Sequence, residues 1–211
     1  MRAGERVDLT DGAGSVAECV VTATGPDWLD LEVQQRRFVD PPAPRLVVVQ
    51  ALAKGDRGER AVEAMTEVGV DEVVPWAAAR SVVEWRGERG ARSLERWRST
   101  AREAAKQSRR AWLPVVPEPA STADVARRLA AAPLAVVLDG AAATSMAGTD
   151  LPATGEVVVV VGPEGGLTDE ELAAFTHAGA VACRLGPTVL RTSTAGVVAA
   201  ALVLAASGRW S

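Results

Sequence analysis

The five consecutive valines Val157–Val161 constrain the fold more than any other feature of the chain. An unbroken β-branched run suits a strand buried on both faces, and such strands occur mainly in parallel sheets covered by helices. The run stops at Gly162-Pro163, and Gly165-Gly166 then allow a tight turn with bare backbone. Thr168 and Glu171 have the T-x-x-E spacing of a capping box, which predicts a helix from that point. A glycine-rich turn between strand and helix points backbone N–H groups beyond the sheet edge, where a nucleotide-like or carboxylate-bearing ligand can sit. The same glycines also suit a plain connection. A second loop, GPTVLRTSTAG, follows a predicted strand at Val181–Leu185 and precedes an apolar helix from about Ala195 to Ala206. Two such loops at neighbouring strand ends make a site.

Upstream, strand-like and helix-like segments alternate, the pattern of an α/β domain with a mainly parallel sheet. Strands are expected at Leu46–Leu52, Glu72–Trp76, Leu113–Val116 and Leu134–Leu138. Helices are expected around Ala61–Val68, at Ala91–Ala111 and at Thr122–Ala131. The first forty residues read instead as three strands, with Asp11-Gly12 and Gly25-Pro26 as turns. Asp40-Pro41-Pro42-Ala43-Pro44 continues neither a helix nor a central strand, so the domain boundary falls there.

A length of 211 residues with 48% hydrophobic content is enough to bury a sizeable core. The apolar run after Gly196 is too short to span a membrane, and no secretory signal pattern opens the chain. Cys19 and Cys183 lie far apart and show no metal-ligand spacing, so two reduced thiols and no metal are expected. The net charge of −4 argues against a nucleic-acid partner until its distribution is considered. Arg80 to Arg110 holds ten cations against four glutamates, a local +6 that leaves −10 for the remainder. On the long helix, Leu94, Trp97, Ala101, Ala104 and Ala105 share one side, and Arg92, Arg96, Arg102, Lys106 and Arg110 lie towards another. Such a local basic surface suits RNA, although solvated helix faces carry similar charge. Lys54, Arg80, Arg96, Arg109 and Arg110 are the candidate RNA contacts, with Trp85 and Trp112 as candidates for base stacking.

GPEGGLTDEEL followed by LGPTVLRTSTA resembles the pair of cofactor loops in the SPOUT superfamily of S-adenosylmethionine-dependent RNA methyltransferases, and most closely the RsmE family. Thr66-Glu67-x-Gly69-Val70, Arg80-Ser81-Val82 and Glu103-Ala104-Ala105-x-Gln107-Ser108 are similar to the same family in the same order, so the likeness covers nearly the whole chain. It implies methylation of N3 of one uridine in 16S ribosomal RNA, with S-adenosylmethionine as cofactor. It also implies a cytoplasmic homodimer acting on 16S RNA or the assembled small subunit. The implied architecture is a PUA-like β-barrel at residues 1–42 and a SPOUT methyltransferase domain at 45–211 whose parallel sheet ends in a C-terminal trefoil knot. Family members carry further strands before the position of Met1, so the barrel is expected to be incomplete.

By the same resemblance, the backbone of Leu138, Gly162, Glu164, Gly165, Gly166, Leu185, Leu190 and Thr192 holds the cofactor. Arg191 takes the reacting end: a guanidinium near the uracil O2 or O4 stabilises the anion formed as N3 loses its proton. Tying the loop by bonding its carbonyls is the other role open to Arg191. By the resemblance, many relatives have Glu where this chain has Ser193, and if that carboxylate accepts the proton there, a hydroxyl, water or another acid serves here; Thr188 likewise stands where many relatives have Arg. His177, the only histidine, reads as a surface or helix-end residue. A nicotinamide or nucleotide-phosphate enzyme is disfavoured, since neither G-x-G-x-x-G after the first strand nor G-x-x-x-x-G-K-[ST] occurs. A non-catalytic RNA-binding protein that keeps the fold, or a SPOUT methyltransferase with another RNA target, stays open.

Overall fold

The computed structural model describes residues 1–210, which divide into two compact units. The first comprises Met1–Pro41 together with Arg109–Leu113; the second takes Pro42–Ser108 and the chain from Pro114 onward.

In the first unit β1 (Arg6–Thr10), β2 (Ser15–Thr24) and β3 (Leu29–Phe38) form an antiparallel sheet in the order β1-β2-β3. β2 buries Val16 and, beyond a register shift between Glu18 and Cys19, the alternating pair Cys19 and Val21. The β1–β2 turn is fixed by Asp11, whose Oδ1 accepts the N–H groups of Ala13 and Ser15 at 2.8 and 3.0 Å. Residues 109–113 join this unit through backbone bonds from Gly14 to the Ala111 carbonyl and from Leu113 to the Gly12 carbonyl. The Trp112 indole N–H adds a 2.9 Å bond to the Val39 carbonyl, and its ring meets Phe38 edge-on.

The second unit contains β4 (Arg45–Ala51), α1 (Arg57–Val68), β5 (Glu72–Trp76), α2 (Gly87–Gln107), α3 (Thr122–Ala131), β6 (Leu134–Leu138), β7 (Thr144–Ser145), β8 (Glu156–Val161), α4 (Asp169–His177), β9 (Val181–Arg184) and α5 (Thr192–Ala206). Six strands pair in the order β5-β4-β8-β6-β9-β7, every neighbour parallel. The valine run is β8, hydrogen-bonded on both edges to β4 and β6. Both of its faces are covered. Val157, Val159 and Val161 join a core with α1, α2 and α5, while Val158 and Val160 pack with Val125, Leu129 and Phe175 from α3 and α4. Burying each valine contributes roughly 1.5–3 kcal/mol as an upper estimate, so the run helps stabilise both cores.

Two elements depart from the sequence expectation. Leu113–Val116 is not a strand of the sheet; the segment meets β5 at one isolated bridge, Glu72 with Val115, and the chain beyond it returns at a second, Trp76 with Ala120. The long helix ends at Gln107 rather than Ala111, and Arg109 adopts a left-handed φ of 54° that breaks its continuation. Residues 109–113, expected within the second domain, consequently leave it for the first unit. Among the described residues no helix is long and apolar enough to cross a membrane.

Candidate cofactor and catalytic site

Three loops leave the C-terminal ends of β6, β8 and β9 and enclose a cavity of about 460 Å³. Ligand crevices of open α/β sheets lie at this end, and roughly 300–1,000 Å³ is the usual range for a small-molecule site. Leu138, Val161, Leu185, Leu190 and Leu167 give it apolar walls. Its charged lining is Arg57, Arg184 and Arg191 with Asp139 and Glu164. A Cβ added at Gly140 or Gly186 would meet no atom within 4 Å, so at both positions bare backbone faces open space. Apolar walls, accessible amides and carboxylates suit a nucleoside carrying a charged amino-acid arm.

The local sequence explains how the loops hold their shape. Thr168 Oγ1 accepts the Glu171 N–H at 3.1 Å while the Thr168 N–H donates to Glu171 Oε2 at 3.0 Å, the expected capping box at the start of α4. Buried Glu171 also accepts the Ala79 N–H at 2.7 Å, joining this helix to the loop after β5. The acidic first turn of α4, Asp169, Glu170 and Glu171, complements its own helix dipole, which leaves that terminus unsuited to an anionic ligand. The third loop is pinned by Thr192, whose hydroxyl donates to the Gly162 carbonyl and accepts from Gln50 Nε2 at 3.3 Å. Gln50 is fully buried at the end of β4, so one polar chain ties β4, the glycine loop and α5.

Of the cofactor residues expected from sequence, Leu138, Gly162, Glu164, Gly166, Leu185, Leu190 and Thr192 line the cavity, as does Arg191. Gly165 does not; a Cβ there would meet the Arg80 Cβ at 3.2 Å. Arg80, expected to meet RNA, donates from Nη1 to the carbonyls of Gly165 and Leu167 at 3.2 and 2.9 Å and so braces the glycine loop. Arg96 lies 3.5 Å from Glu59 and bonds Ser93, Lys54 is exposed, and Arg109 and Arg110 belong to the first unit. Trp85 packs edge-on against Trp97 at 5.0 Å and Trp112 is held by Val39, so both proposed stacking rings are engaged in packing. Exposed His177 is not part of the cavity lining.

Arg191 occupies the N-cap position of α5, and its carbonyl accepts the N–H groups of Thr194 and Ala195 at 2.9 Å. Its exposed guanidinium bonds no carbonyl among the described residues. Arg184 is committed, donating from Nη1 to the carbonyls of Ala142 and Ala143. Arg57 pairs with Glu164 at 3.0 Å. Burial raises the Glu164 pKa, but bonds from its own N–H, from Arg57 and from the Lys54 N–H outweigh it and hold this carboxyl below its ordinary 4.5. Gln50, Asp139 and Arg57 as a wall residue were not legible as site residues, because each sits at a strand end or helix start with no local pattern.

Residues 41–204 match the model of the RNA methyltransferase domain family. A ribosomal RNA small subunit methyltransferase E of Mycobacterium tuberculosis is 45% identical over 214 residues, covering 100% of this chain and 82% of that protein. The protein of the same description from Bacillus subtilis is 31% identical over 203 residues, 92% of this chain and 79% of its own. A Neisseria gonorrhoeae ribosomal RNA small subunit methyltransferase E, solved with bound S-adenosyl methionine, superposes with a TM-score of 0.85 at 27% identity, over 97% of this chain and 84% of the other.

Proposed function

The chain belongs to the ribosomal RNA small subunit methyltransferase E family and is an S-adenosylmethionine-dependent methyltransferase of 16S ribosomal RNA, and from this premise we propose that it methylates N3 of a single uridine within the cavity at the ends of β6, β8 and β9. The observation that carries this reading is a cavity walled by leucines and open glycine backbone, with one uncommitted guanidinium, Arg191, at the start of α5. S-adenosylmethionine supplies an electrophilic methyl group on a sulfonium when bound. Leu138, Gly162, Gly166, Leu185, Leu190 and Thr192 give the apolar walls and backbone groups that would hold it, with the Glu164–Arg57 pair in the same lining. Alignment of two bound reactants supplies roughly 7–11 kcal/mol, the largest contribution available to a site without a covalent step. Arg191 stabilises the uracil anion that develops as N3 is deprotonated. Extruding the base costs a few kcal/mol, which contacts to the RNA backbone offset.

Three further assignments belong to this reading. β9 lies between β6 and β7, which are consecutive in sequence, so the connection 139–143 crosses over β9; this order supports a C-terminal trefoil knot. The antiparallel β1-β2-β3 sheet supports a PUA-like RNA-gripping unit at residues 1–42, with the methyltransferase domain at 45–211. Val197, Val198, Ala201 and Leu202 leave apolar surface on α5, which supports a homodimer. The protein works in the cytoplasm on 16S RNA or the assembled small subunit, with Lys54 and Arg109 as phosphate contacts.

The test is methyl transfer from labelled S-adenosylmethionine to small subunits lacking the modification, followed by nucleoside mass spectrometry. N3-methyluridine is expected at one site. Arg191→Ala should lose about 10²–10³-fold in kcat while cofactor affinity changes little. Another methylated nucleoside, or none, would reject the reading.

A further inference from the structure

Resting on the methyl-transfer reading above, we propose that Asp139 is the group that takes the N3 proton of the target uridine. Methyl transfer to N3 has to dispose of that proton: the sulfonium C–S bond breaks as the N3–C bond forms, the N3–H bond breaks, and the proton passes to a carboxylate oxygen and thence to solvent. Ser193, in the first turn of α5, is not part of the cavity lining.

The other candidates fail on chemistry or position. Glu164 is already paired with Arg57 at 3.0 Å and held ionised by three donors, which makes it a weak acceptor. Cys183 is fully buried, and burial pushes its thiol up so that it keeps its own proton. The Thr192 hydroxyl is bound to Gly162 and Gln50. His177 lies outside the cavity. Asp139 lines the same cavity as Arg191 and immediately follows β6, where its N–H donates to the Cys183 carbonyl at 2.9 Å. Its Oδ1 accepts the Ala141 N–H at 3.0 Å, which orients the side chain, and Oδ2 meets no donor among the described residues. One fixed oxygen and one open oxygen are what a positioned acceptor requires.

Asp139→Asn keeps an Oδ1 acceptor for Ala141 and removes the basic oxygen. Calorimetry should give an S-adenosylmethionine dissociation constant within about twofold of wild type, while kcat falls about 10²–10⁴-fold. RNA carrying 5-fluorouridine at the target position, whose N3–H is more acidic, should recover much of that loss, and Asp139→Glu should fall between wild type and Asn. Unchanged turnover of Asp139→Asn overturns the proposal. So does cofactor affinity that falls in step with turnover, or a loss that 5-fluorouridine does not relieve. A wild-type chain that transfers no methyl group to RNA overturns the functional reading itself, an outcome distinguishable from an Asn variant as active as a working wild type.

Discussion

At the scale of single residues, the site is a division of labour among charges. Arg80 and Arg184 bond loop carbonyls, Arg57 bonds Glu164, and Arg191 alone of the four is left for a reacting group. The Arg57–Glu164 pair gives a pH-dependent prediction. Because the folded carboxyl lies below its ordinary 4.5, the pair stabilises the native state fully above that value and the contribution is lost as pH falls through the lowered one. The urea midpoint of Glu164→Gln should therefore sit below wild type at neutral pH and converge with it in acid; a constant gap would show that the charge is irrelevant. The glycine turn and the α4 capping box were readable because loop and capping chemistry is local, whereas Arg191 was expected from the family resemblance alone. The bracing bonds of Arg80, expected as an RNA contact, were not legible, since which carbonyl a cation meets depends on a loop 85 residues away.

Among elements, the packing most relevant to the site is that of α5 against β4 and α1. Gly196 lies so near both that an added Cβ would fall 2.8 Å from Met65 Sδ on α1 and 3.4 Å from both Gln50 Oε1 and Val48 Cγ1 on β4. Gly196→Ala should cost about 1–3 kcal/mol, read as a lowered urea midpoint at unchanged slope, and should loosen the Gln50–Thr192 link beside the cavity. An unchanged midpoint would mean that α5 shifts freely on the sheet. Five of the six strands of this sheet and all five helices were visible as periodicity and valine content. The edge was not: Leu113–Val116 has strand-like residues, yet its backbone bonds go partly to Gly12 and Asp71, while the two-residue β7 is too short for any pattern.

For the whole molecule, the central questions are assembly and cofactor. Val198 faces away from the core on α5 and is only partly buried within one chain. Val198→Glu should convert a dimer into monomers in sedimentation experiments while leaving the fold intact, because a charge at an apolar interface goes unpaired; a dimer that survives places the interface elsewhere. The sequence resemblance extended over nearly the whole chain, and the matching family model spans residues 41–204, so the activity was legible before the cavity was seen. The grouping of Leu138, Gly162 and Leu185 was expected from the resemblance alone, because residue patterns do not give strand order. The most direct test of the account is calorimetry of the chain with S-adenosylmethionine, with NADH as the control ligand, for wild type and Gly186→Val. Gly186 lines the cavity and a Cβ there touches no protein atom, so wild type should bind S-adenosylmethionine and not NADH, and the folded variant should lose that binding. A well-folded wild type that binds no S-adenosylmethionine, or a variant that binds it equally well, would contradict the placement of the cofactor in this cavity.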